Sequence, residues 1–220
     1  MPAYFVTATG TDIGKTYVSA ALLSAWRRRG LSTVAVKPVM SGFGEDALEQ
    51  SDAGRLITAM GGVVTAETVS DVCLYRLEPP LAPNIAMRLA GVTQDYGAIV
   101  RFCRSRLDRP AHIHLIEGAG GIMSPLTDDT LQLDLMRALG LPVLLVTAPY
   151  LGSISHTLTA IDALAAAGLT LAALIVSEPV PQSADLALFA DEVSRFRPCN
   201  VALIPHGGSA GDLAAALANG

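Results

Sequence analysis

Short runs of consecutive apolar, often β-branched residues alternate along the chain with longer stretches rich in alanine and leucine. The short runs predict strands at 4–8, 33–37, 112–116, 142–147, 171–176 and 201–204. The long ones predict helices at 15–29, 47–60, 93–107, 130–139, 153–167, 183–195 and 211–218. Several strand runs lack polar alternation, the pattern of a parallel sheet buried on both faces. The order of elements predicts an α/β fold: a doubly wound, mostly parallel sheet flanked by helices, with right-handed crossovers. No repeat or low-complexity linker interrupts the 220 residues, so 1–220 reads as a single domain. Ligands of such sheets bind beyond the carboxyl ends of the strands, and the polar motifs of this chain fall there.

Composition narrows the function classes. Hydrophobic residues make up 51% and charged residues 16%, which excludes a disordered chain. Twenty acidic residues against 15 basic ones give a net charge of −5, with the basic residues scattered. Nucleic acid and anionic membranes need a concentrated basic face, so neither is an expected partner. The longest apolar stretch, 163–176, carries Gly168 and Thr170 and is shorter than the ~18–20 residues of a membrane span. It reads as the end of a core helix entering a buried strand. The N-terminus lacks the pattern of a signal peptide. Cys73, Cys103 and Cys199 are widely spaced with no Cys-x-x-Cys pair, so they read as ordinary buried thiols in a reducing, cytoplasmic setting.

The first predicted strand leads through Ala8-Thr9-Gly10-Thr11-Asp12-Ile13 into Gly14-Lys15-Thr16-Tyr17 and a helical run. Strand, tight turn, Gly-Lys-Thr and helix form the context of a phosphate-binding P-loop, and the fold expectation becomes P-loop NTPase-like. Gly14 lets the backbone approach phosphates, and the first helical amides point at them. Lys15 neutralises phosphate charge, and the Thr16 hydroxyl reaches Mg²⁺. The spacing departs from the strict pattern, however, and a capped helix start is the alternative. Asp12, a carboxylate in an anion-binding loop, is either a turn residue or a sign that the loop also faces a cationic substrate.

Other strand ends carry further chemistry. Lys37, in Lys37-Pro38-Val39-Met40-Ser41-Gly42, is either an exposed edge lysine or a second cation beside the phosphate loop. Asp52, read alone, is a helix N-cap. Glu117, before Gly118-Ala119-Gly120-Gly121, stands where P-loop enzymes place a metal-site carboxylate, the alternative being a glycine turn after an unrelated acid. Residues Gly152, Ser153, Ile154 and Ser155 open a helix whose amides and hydroxyls suit a carboxylate or phosphate, unless Ser153 is only an N-cap. Ser177-Glu178-Pro179 and Pro205-His206-Gly207 follow strands where a nucleotide base is gripped. His112 and His114 have no third ligand nearby and read as satisfied or surface histidines.

Taken together, in this order and spacing, these motifs resemble the dethiobiotin synthetase family from Tyr4 to about Gly207, with Ser51-Asp52-Ala53, Ala82-Pro83-Asn84 and Leu151-Gly152-Ser153-Ile154-Ser155-His156 as further markers. That family has one extra residue between the P-loop glycines, and Ala8 stands where the first usually lies. The resemblance implies a homodimeric ligase that uses ATP, Mg²⁺, CO₂ or bicarbonate and 7,8-diaminononanoate. One amine becomes a carbamate, a carbamic–phosphoric anhydride and ADP follow, and ring closure expels phosphate. It assigns Lys37 and Lys15 to catalysis, and Thr16, Asp52 and Glu117 to Mg²⁺. ATP would be held by Asp12, Ile13, Gly14, Lys15, Thr16, Tyr17, Asp52, Glu117, Gly118, Ala119, Gly120, Ser177, Glu178, Pro205, His206 and Gly207. The substrate would meet Thr11 and Ser41 at its diamine end and 152–155 at its carboxylate, across the dimer interface. Ser177 and Ser155 stand where many members carry asparagine.

Two alternatives remain beside this resemblance. One is another ATPase of the same superfamily, amide-forming or partition-type; the former needs an added glutaminase domain, the latter a second lysine early in the P-loop. The other is a nucleotide-binding module without turnover, which has no reason to keep Lys37, Ser41 and Glu117 together.

Overall fold

The computed structural model describes residues 1–178, 180 and 185–219. Its strands are β1 (Ala3–Ala8), β2 (Thr33–Val36), β3 (Val39–Ser41), β4 (Tyr75–Leu77), β5 (Ile113–Glu117), β6 (Val143–Thr147), β7 (Leu171–Ser177) and β8 (Val201–Ile204). Helices α1 (Lys15–Arg28), α2 (Asp52–Met60), α3 (Ala66–Val72), α4 (Pro83–Leu89), α5 (Tyr96–Leu107), α6 (Gln132–Leu139), α7 (Ser153–Ala166), α8 (Leu186–Phe196) and α9 (Gly211–Ala218) connect or follow them. Six strands form one sheet in the order β2-β5-β1-β6-β7-β8, and each neighbouring pair is parallel.

Residues alternate across the sheet, as extended backbone requires, and so divide the core in two. Tyr4, Val6 and Ala8 of β1 pack with α1, α2, α3 and α9 on one face. Phe5 of the same strand packs on the other face with residues of α4, α5, α6, α7 and α8. Both faces of the sheet are therefore covered, which explains why its strand runs carry so little polar alternation. The apolar stretch 163–176 divides between the end of α7 and β7. Among the described residues no helix is long and apolar enough to cross a membrane.

The structure adds four elements that the apolar pattern did not predict: α3, α4 and the three-residue strands β3 and β4. Strands this short leave too few positions for a period. β3 and β4 pair in parallel as a separate ribbon, Val39 opposite Tyr75 and Ser41 opposite Leu77. The helix expected over 47–60 is also broken. A 3-10 turn, Glu45–Gln50, is followed by extended Ser51, whose hydroxyl accepts from the Gly54 amide and donates to Leu48 O. Ser51, and not Asp52, is thus the N-cap, and Asp52 is freed at the first position of α2. The helix expected at 183–195 is observed as α8; Ser183, its expected first residue, lies outside the described residues, as does Pro179.

The break leaves no room at Gly54. A Cβ there would collide with the Leu48 carbonyl and lie 2.9 Å from Glu49 Cα, both backbone. In an open helix, Gly→Ala stabilises by up to ~1 kcal/mol. Gly54→Ala should instead destabilise by about 1–3 kcal/mol in urea unfolding, as overpacking does. A stabilised variant would show that α2 and the preceding turn separate freely.

Candidate active site

β2, β5 and β1 are consecutive in the sheet, so their carboxyl ends adjoin. β1 runs into the loop that ends at Gly14, the left-handed N-cap of α1 (φ 99°). No side chain caps this helix, so its first amides stay open to a ligand. Asp12, with φ 57°, is the non-glycine residue with a left-handed backbone among the described residues. Ala8 lies within extended β1, where a Cβ is no burden. Lys15 curls back to donate to Gly10 O at 3.0 Å.

Past the end of β2, Pro38 prevents continuation and Lys37 turns inward, 4% exposed. Its ammonium lies 2.8 Å from Asp52 Oδ2 and 2.8 Å from Glu117 Oε1. Glu117 ends β5 with no exposure, and its Oε1 also accepts from the Thr16 hydroxyl at 2.7 Å. Its Oε2 is buried, and no described group hydrogen-bonds to it. Lys15, Thr16, Lys37, Asp52 and Glu117 thus converge, from four separate stretches of sequence.

This crowding sets the charge states. Burial alone would lower the Lys37 pKa, but Glu117 and Asp52 outweigh it and hold the ammonium above the ordinary lysine value. For Asp52, burial is overcome by the Lys37 charge and by hydrogen bonds from Lys37 and Thr16, and its carboxyl is held below the usual range. Lys15 goes the other way. Burial first, then the charge of Lys37, bring it down to about 8.

A cavity of about 790 Å³ opens over this cluster. Thr11, Asp12, Gly14, Lys15, Thr16, Tyr17, Lys37, Ser41, Asp52, Ala119 and Gly120 line it, as do Met40, Gln50, Arg55, Ser124 and residues 80–83. Ser41 Oγ is buried without a described partner. Sequence reasoning missed the second group, because β3, β4, the broken helix and the loop after β5 bring it to the cavity and none of these shows a periodic signal. Ala82-Pro83-Asn84, singled out only as a marker, was the available clue. Gly120 and Gly121 allow the approach of the loop after β5. A Cβ on Gly120 would strike Ser124, and one on Gly121 would lie 3.3 Å from Ala8 O.

Two predicted groups lie apart from this cluster. At the ends of β7 and β8, the Tyr17 hydroxyl donates to Pro205 O and accepts from Gly207 N, each at 3.0 Å. Glu178 Oε2 accepts from His206 N, and Ser177 Oγ is buried without a described partner. The second group, 152–155, opens α7 behind left-handed Gly152. Here the Ser153 hydroxyl is taken up by the Tyr150 amide and carbonyl, which leaves Ser155 as the exposed hydroxyl of the group. Neither group lines the cavity except through Tyr17. His112 bonds to Ser32 and His114 to Arg109 O.

An uncapped helix behind Gly-Lys-Thr, at the central strand of a parallel sheet, defines a P-loop nucleotide-binding protein. The AAA domain family matches residues 2–210. The fold is shared with the cell division ATPase MinD of Pyrococcus furiosus, at 18% identity and a TM-score of 0.54, over 100% of this chain and 98% of that one. Nearer in sequence, the ATP-dependent dethiobiotin synthetase of Caulobacter vibrioides NA1000 is 53% identical over 81% of this chain and 80% of its own. That of Methylobacterium nodulans is 39% identical over 94% and 95%. The chain belongs to the family of ATP-dependent dethiobiotin synthetases.

A depressed Lys15 pKa has a consequence for stability. Between pH 8 and 10.5 the unfolded chain binds more protons at this lysine than the folded one, so the buried charge destabilises the fold below pH 8 and the penalty fades towards pH 10.5. Lys15→Met should therefore stabilise the free protein at pH 7 by about 2 kcal/mol, with the gain shrinking at pH 10. Urea unfolding at both values checks it; a gain independent of pH would contradict the cause.

Proposed function

We propose that this chain catalyses the ATP- and Mg²⁺-dependent closure of 7,8-diaminononanoate and CO₂ to dethiobiotin, ADP and phosphate, in the cytoplasm and as a homodimer. The observation that carries this reading is the Lys37 ammonium held between Asp52 and Glu117 next to Lys15 and Thr16. Family membership supplies the substrate; the cluster supports a site built for phosphoryl charge.

A divalent ion fits the donors present. Thr16, Asp52 and Glu117 offer hard oxygens, and the buried Glu117 Oε2 is free to take part. Two carboxylates and a hydroxyl suit Mg²⁺, which keeps several waters and phosphate oxygens. When bound, the ion neutralises charge on the phosphates. The α1 amides and Lys15 hold the nucleotide phosphates, with 118–120 alongside. Tyr17, Ser177, Glu178 and 205–207 border the base.

The diamine enters past Thr11 and Ser41, and Asp12 favours its ammonium groups. One amine, as the free base, adds to the carbon of CO₂ and gives up a proton to solvent, becoming a carbamate. Lys37 and Lys15 then steady the carbamate oxygen and the γ-phosphate as that oxygen attacks phosphorus and ADP leaves. The second amine attacks the carbonyl carbon of the anhydride, loses its proton, and phosphate departs. No enzyme nucleophile is required, and catalysis is positioning plus charge stabilisation. The segment 152–155 of the partner subunit receives the distal carboxylate.

Purified protein should consume ATP only when both the diamine and bicarbonate are present, and should carry ¹³C from bicarbonate into the ureido carbon. ATP cleavage that ignores the diamine would remove the reading. Lys37→Ala should lower kcat about 10³-fold while leaving ATP affinity within about threefold, as expected for a group serving charge that develops in transfer. Its unfolding curve is recorded alongside, since it leaves two carboxylates unpaired. Glu117→Gln should raise the Mg²⁺ concentration for half-maximal rate about tenfold. An unshifted Mg²⁺ curve would strip Glu117 of that role.

A further inference from the structure

Arg55 has no part in the assignments above, yet it lines the cavity over the phosphate loop. It lies three residues after Asp52 on α2, so the two side chains share a helix face. Asp52 on that face reaches Lys37 at 2.8 Å. Among the described residues the Arg55 side chain makes no hydrogen bond and no ion pair, whereas Lys37, which lines the same cavity, is held by Asp52 and Glu117. The Arg55 backbone amide donates to Ser51 O, in the first turn of α2.

The charge balance of the cavity gives this cation its use. The two lysines are matched by Asp52 and Glu117, and Asp12 adds a further negative charge at the phosphate loop. Before any divalent ion binds, and without Arg55, the charged side chains of the site are two lysines against three carboxylates, so Arg55 brings the protein's own charges there into balance. A diamine, in contrast, carries ammonium groups that an unpaired guanidinium repels. The oxyanion side of the reaction is therefore the partner that the charge pattern favours, and a guanidinium binds phosphate oxygens in a bidentate fork that lysine does not reproduce.

We propose that Arg55 is a further nucleotide-binding residue, which takes the terminal phosphate of ATP from the α2 side of the cavity. This rests on the ATP-dependent reading above. Terminal-phosphate recognition predicts a preference for ATP over ADP that depends on Arg55.

Arg55→Gln and Arg55→Lys test it, both at an exposed helical position where folding is preserved, as a melting curve verifies. Calorimetry with Mg-ATP and Mg-ADP, without diamine, should show ATP binding weakened about tenfold in Arg55→Gln and ADP binding within about twofold, with Arg55→Lys between. In turnover, the KM for ATP should rise, those for diamine and bicarbonate should hold, and the salt dependence of kcat/KM for ATP should flatten. Equal loss of ATP and ADP binding, no loss of either, or a rise confined to the diamine or bicarbonate KM overturns the proposal. If the wild-type protein makes no dethiobiotin while the ATP-over-ADP effect persists, the reaction fails and Arg55 stands.

Discussion

A lysine ammonium buried at 4% exposure between two carboxylates is the constraint on which the other features of the site depend. Alone, such a charge would be driven to deprotonate; with Asp52 and Glu117 at 2.8 Å it is held protonated instead. These contacts join the end of β2, the start of α2 and the end of β5 at one point, although Pro38 stops the strand and the Ser51 cap starts the helix. Lys15 is left as the cation whose charge is easily lost, and it lies beside the amides that await an anion. Two lysines buried alike are thus divided into a fixed and a labile charge by the carboxylates that pair directly with one of them.

The backbone around this cluster is irregular where the cavity needs walls. Extended Ser51 ends one turn and caps the next helix, and this break turns Asp52 and Arg55 towards the cavity. The short ribbon of β3 and β4 carries Met40, Ser41 and Gly42 past the same opening. Gly54, Gly120 and Gly121 mark the close approaches that keep these pieces together.

The six main strands were legible from apolar runs to within about two residues at their ends, because burial of a parallel sheet on both faces demands such runs. Gly14-Lys15-Thr16, Glu117 and Lys37 were equally visible, since a P-loop needs a local order of residue types and the others stand at strand ends. The break at Ser51 was hidden, because its cap is a side chain bonded to atoms three residues away on each side, with no change in apolar period. Likewise Ser153 read either as a ligand hydroxyl or as the N-cap of α7; Gly152 is the cap, and the Ser153 hydroxyl is bonded to the turn at Tyr150.

What the amino-acid order alone determined is therefore the alternation of strand and helix, the place of the phosphate loop in it, and the residue types at the strand ends. Those follow from local periodicity and from backbone rules acting over a few residues. The charge state of Lys37, the pairing of Thr16 with Glu117 and the facing of Arg55 into the cavity were decided by the tertiary structure. Each depends on neighbours brought together across long sequence separations, and electrostatic energy in a buried site is set by distance in space and by exclusion of water.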